Sequence, residues 1–83
     1  MLHRYWFTFE KTEAPCILNT GCGVTAVDDA DARQIIEDQV YPVFGFQKIV
    51  HVVADVEIST LDQKHVIPNM TMPLARGVWF PRL

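Results

Sequence analysis

Cys22 stands between Gly21 and Gly23. Flanking glycines leave a thiol open to approach, and accessibility is one requirement of a reactive cysteine. The other is a nearby base or positive charge, for which His51 and His65 are the candidates. Spacing along the chain brings neither to the thiol. The competing reading of Cys22 is a small apolar residue at the start of a strand, where glycines permit close packing. Ser59, Asp62 and His65 have the residue types of a hydrolytic triad. A triad is defined by geometry and not by proximity in sequence. Capping accounts for the same residues without chemistry: Ser59 with Asp62, or Thr60 with Gln63, fits a capping box. No catalytic residue is assigned on this basis, and Cys22, His51 and His65 stand as weak candidates only.

Cys16, Cys22, His3, His51 and His65 are the possible zinc ligands, but none forms a close pair at a recognised ligand spacing. No metal and no cofactor is therefore expected. A phosphate-binding loop is not indicated either. Gly21-x-Gly23 precedes a strand, whereas a dinucleotide fingerprint follows one and opens a helix.

The elements that must position these residues follow from periodicity. Tyr5, Phe7 and Phe9 alternate with Arg4, Trp6, Thr8 and Glu10, which predicts a strand with its aromatic face in the core. Residues 12–21 hold Pro15, Asn19 and Gly21 and read as a connection. A second strand over 22–27 can pair antiparallel with the first. Asp28 is a good N-cap, and Asp29 and Asp31 suit the positive end of a helix dipole. Ala32, Ile35, Ile36 and Val40 recur at helical spacing as one apolar stripe. Asp29–Arg33 and Arg33–Glu37 are candidate i,i+4 pairs. Pro42 disfavours helical geometry at Tyr41, so the helix is expected to stop there, with a loop over 42–47.

The longest β-type run covers 48–59. Val50, Val52, Ala54, Val56 and Ile58 are expected on one face; Ile49, His51, Val53 and Asp55 on the other. Its first half is apolar on both sides, the pattern of a central strand. Its length exceeds the usual strand, so a bulge or bend is expected near Ala54–Asp55. Residues 66–76, with Pro68, Asn69 and Pro73, read as an irregular segment, and Gly77 to Phe80 as a last short strand closed by Pro81.

The order is β-β-α-β, a turn, then β. The expected fold is a two-layer α+β domain, one helix on a mostly antiparallel sheet. A β-grasp arrangement has this order, and another two-layer sandwich is the alternative. The chain of 83 residues is one domain's worth. Hydrophobic residues make up 49% of it, enough for a packed core in so small a domain.

Gly21-Cys22-Gly23-Val24-Thr25-Ala26, Ser59-Thr60-Leu61-Asp62, His65-Val66 with Pro68-Asn69-Met70, and Arg76-Gly77-Val78-Trp79-Phe80-Pro81 together resemble a family of short bacterial proteins of unassigned activity. The resemblance implies a bacterial cytosolic protein and supplies no catalytic residue.

Charge narrows the partners. The net charge is −3, and the seven Lys and Arg form no run. Phosphate neutralisation and anionic lipid attraction both call for a basic excess, so neither nucleic acid nor a membrane surface is expected. No apolar stretch has the length of a bilayer span, and the first ten residues lack a signal peptide's continuous apolar core. Two cysteines without a redox spacing are expected as free thiols in a reducing cytoplasm.

Protein or self is then the partner class that stays open. By parity, Trp6, Thr8, Ile49, His51, Val53 and Trp79 are expected on the sheet face away from the helix. Exposed aromatic patches mark interfaces, so Trp6, His51 and Trp79 are the candidate binding residues of a non-enzymatic interaction module or small homo-oligomer. The competing outcome is that residues 66–76 fold back and cover this face. A small thiol enzyme or redox protein using Cys22 with a histidine is the alternative function.

Overall fold

A computed structural model describes residues 1–13 and 16–81; Pro15, assigned above to a connection, lies outside the described residues. Four strands, β1 (His3–Phe9), β2 (Cys22–Ala26), β3 (Ile49–Ala54) and β4 (Gly77–Phe80), form one antiparallel sheet in the order β3-β1-β2-β4. The fold is the two-layer α+β arrangement expected, one helical layer on an antiparallel sheet. β4 runs antiparallel to β2 at one edge, and β3 runs antiparallel to β1 at the other.

The helix begins as the sequence requires. The Asp28 carboxylate accepts the Asp31 amide at 2.7 Å, and the Asp31 carboxylate reaches back to the Val27 amide at 3.1 Å. One of the first turn's free donors is thereby satisfied, together with the amide of the residue before the cap. α1 (Asp29–Ile35) buries Ala32 and Ile35, and Arg33 pairs with Asp29.

Tyr41 does not end the helix. A π-turn over Ile36–Val40 leads into α2 (Tyr41–Phe44), so the segment expected as a loop from Pro42 is helical through Phe44. Proline lacks an N–H, and in an ordinary α-ladder its ring strikes the carbonyl four residues back. The wider π-turn places the break in the ladder just ahead of Pro42, which then sits in the first turn of α2, where its missing donor costs nothing.

The sheet separates two cores. On the helix side Tyr5, Phe7, Phe9, Cys22, Val24 and Ala26 pack with Ala32, Ile35, Ile36 and Val40. This is the stripe and the strand parity expected. On the far side Val56, Val66, Trp79 and Phe80 form a second core, with Trp6, Ile58, Leu61 and Met70 against it.

Two bulges and one turn decide who joins which core. β3 runs Ile49–Ala54 and not to Ser59, because Asp55 takes a left-handed conformation at φ 53°. The bend expected at Ala54–Asp55 is therefore present. It turns Val56 and Ile58 away from the helix side, where parity had put them, and into the second core. The Val56 amide still reaches the Arg4 carbonyl at 3.1 Å. A register shift between Thr8 and Phe9 pairs Phe9 with Ile49 and leaves Val50 as the extra residue. Ile49 accordingly packs on the helix side, opposite to its expected face, and Val50 is exposed. A second shift, between Gly23 and Val24, leaves Trp79 unpaired between Val78 and Phe80, so Trp79 and Phe80 enter the same core as consecutive residues.

Candidate interaction surface

The face away from the helix is covered where Trp6 and Trp79 lie. Residues 55–76 cross it from β3 to β4, and Val56, Val66 and Met70 seal the aromatic residues beneath. Trp79 has no exposed surface, which removes it as a contact residue. The physical reason is the cover: Val56, Val66 and Met70 close over the indole, which lies inward over Gly23, where a built Cβ would stand 2.4 Å from the ring. Trp6 lies beside it, centroid to centroid at 5.9 Å, and over Gly21 in the same way. Trp6 is half-buried under the cover. The two glycines around Cys22 thus serve the tryptophans on the opposite face. They do not open the thiol.

Cys22 itself points to the helix side and is fully buried. Burial pushes its thiol up to about 12, the reverse of what a nucleophile needs. Among the described residues no hydrogen bond joins it to a histidine. Cys16 is also free and donates to Gln47 Oε1 at 3.3 Å. His65 lies beside Asp62, Nδ1 to Oδ2 at 3.0 Å, on an exposed turn. The same Asp62 carboxylate accepts the Lys64 and His65 amides, so its role is to cap that turn. These contacts hold Asp62 down at about 2, the His65 side chain being the main cause. Gln63 donates to the Ser59 carbonyl, and among the described residues nothing links the Ser59 hydroxyl to His65, so no triad is assembled.

Among the described residues no three His, Cys, Asp or Glu side chains gather into a group able to hold a metal ion. No helix among them is long and apolar enough to cross a membrane. An apolar cleft between Ile17, Phe44, Asn69, Phe80 and Pro81 offers a ligand one amide and no charge to orient it.

His51 is exposed, and it lies on β3, a strand at the edge of the sheet. In an antiparallel pair alternate residues bond to one neighbour. Val56 donates to Arg4, and Glu10 donates to Lys48, so the even residues of β1 face β3. Their partners are Val53 for Trp6 and His51 for Thr8. The amides and carbonyls of Val52 and Ala54 therefore point away from β1. Among the described residues they meet no backbone partner.

The other edge is different. Thr71 donates to the Trp79 carbonyl at 2.8 Å, and the Thr25 hydroxyl reaches the Pro73 carbonyl, so residues 71–76 wrap β4. That wrap is held by Arg76, which forks onto the Asp31 carboxylate at the helix start.

β3 is thus an edge strand, where its two-sided apolar pattern predicted a central one. Val50 is 56% exposed and Val53 38%. The strand reads Ile-Val-His-Val-Val-Ala, with no Lys, Glu or Pro among the six. Those are among the devices that blunt edges in stable monomers; the bulge at Val50 is another, and this strand carries it. Sequence reasoning found His51 but placed it in a tryptophan patch. The run's two-sided apolar pattern pointed to a central strand, and its edge position follows only from the strand order.

Comparison with protein-family models, with curated proteins and with solved structures finds no match.

Proposed function

We propose that this chain is a protein-interaction module of the cytoplasm, and that it takes an added strand along the outer edge of β3. One observation carries this reading: a strand patterned as a central one stands at the edge, with the backbone groups of Val52 and Ala54 meeting no backbone partner among the described residues. Strand addition supplies main-chain hydrogen bonds to such an edge, and exposed side chains such as Val50, His51 and Val53 add selectivity. The buried thiol of Cys22 gives no support to thiol chemistry.

Selection of displayed eight-residue peptides on the immobilised protein tests the reading. Peptides of extended, β-branched character are expected, with amide shifts confined to Ile49–Ala54 and the facing residues of β1. Binders that map to another surface, or that survive lysine at Val50 and Val53, overturn it.

A further inference from the structure

We infer that the strand that docks on β3 is β3 of a second copy, running antiparallel about a two-fold axis through Val52. This rests on the reading of β3 as a docking edge and names its occupant. Two four-stranded sheets would join into one sheet of eight strands.

A two-fold contact must be complementary to itself. Ile49–Ala54 meets that condition. It carries no acidic or basic residue besides His51, so antiparallel self-pairing sets no like charges face to face. Charge enters at the two ends with opposite sign: Lys48 precedes the strand, and Asp55 and Glu57 follow it. Antiparallel pairing lays Lys48 of each copy at the Asp55 end of the other, and does so twice. Lys48 has no ion-pair partner among the described residues, and the Asp55 side chain is 67% exposed.

The register follows from the direction of the free groups. Val52 faces outward, so on the axis it exchanges both backbone bonds with Val52 of the second copy. Val50 then opposes Ala54, and His51 opposes Val53 at the closer, non-hydrogen-bonded spacing. Both exposed valines gain cover, and β3 becomes the central strand its composition describes.

Sedimentation equilibrium of the full chain is the test, with the V50K/V53K variant as control and circular dichroism to confirm that it folds. Wild type is expected at twice the 9.5 kDa chain mass, and the variant to dissociate at least about ten-fold more readily. A dimer indifferent to both lysines overturns the inference. So does a wild type that stays at single mass up to about 1 mM. A labelled synthetic peptide spanning residues 48–55 then separates the two claims. If a monomeric wild type binds it and the variant does not, the edge reading stands and the second copy falls. If neither binds, both fall.

Discussion

Gly23 and Trp79 are in direct contact across neighbouring strands, and a Cβ on the glycine would overlap the indole at 2.4 Å. Gly21 stands in the same relation to Trp6. The Gly-Cys-Gly tripeptide is therefore a floor for two indoles on one face and a core thiol on the other.

Gly23→Ala is expected to destabilise the fold by about 1–3 kcal/mol, the usual cost of overpacking a filled site. Gly21→Ala should cost more, because its φ of +131° is strained for any side chain in addition to the clash. Urea unfolding midpoints of the two variants check the order. Equal stability of Gly23→Ala and wild type would mean that Trp79 does not lie on Gly23.

Asp55 holds the turn that sends Val56 into the second core. Valine at a left-handed position is opposed by its Cβ, so Asp55→Val is expected to cost about 1–2 kcal/mol from the backbone alone. Asp55→Asn, which tolerates that conformation, should cost less. It also weakens the contact between His3 Nδ1 and the Asp55 carboxylate, 2.7 Å apart. Thermal unfolding of the two variants makes the comparison.

Cys22 should resist alkylation in the folded state, while Cys16, half-buried, reacts first. Its folded pKa is raised from 9.0 to about 12 by burial. The stability linked to this thiol is then complete below about pH 9 and is lost as pH rises toward 12. Burial raises Tyr5 and Tyr41 in the same direction, so the comparison must be with Cys22→Ala. That variant should be weaker near neutral pH, from the cavity, and should lose less of its remaining stability at alkaline pH. Parallel alkaline slopes would contradict the burial of the thiol.

Asp31 joins the helix start to the segment that wraps β4. The Arg76 guanidinium, followed by the Val27 amide, holds its carboxyl down at about 2 against an ordinary 3.8. A lowered folded pKa stabilises above the ordinary value, and the contribution disappears as pH falls through about 2. Arg76→Gln should return the Asp31 midpoint toward 3.8 in a carboxyl-detected NMR titration. An unchanged midpoint would show that Arg76 does not reach Asp31.

Much of the architecture was legible in local pattern. The capped start at Asp28, the stripe Ala32-Ile35-Ile36-Val40, the aromatic face of β1 and the limits of β4 all follow from interactions within a few residues. The helix end did not follow, because the rule for Pro42 assumes an α-ladder and the chain uses a π-turn. The sheet faces of Ile49 and Val56 were not legible either, whereas Trp6 and Trp79 share the face that parity gives them. Ile49 and Val56 each depend on a single inserted or left-handed residue, and one such residue reverses the parity of everything after it.

The sequence by itself determined that a helix and alternating strands would form and which side chains would seek cover, since propensity, capping and periodicity are local. Only the tertiary structure decided strand order and what lies over each face. It placed residues 55–76 over the tryptophans, buried Cys22 with no hydrogen bond to a histidine among the described residues, and left β3 at the margin. Those outcomes depend on contacts between residues far apart in the chain, and no window of neighbouring residues contains them.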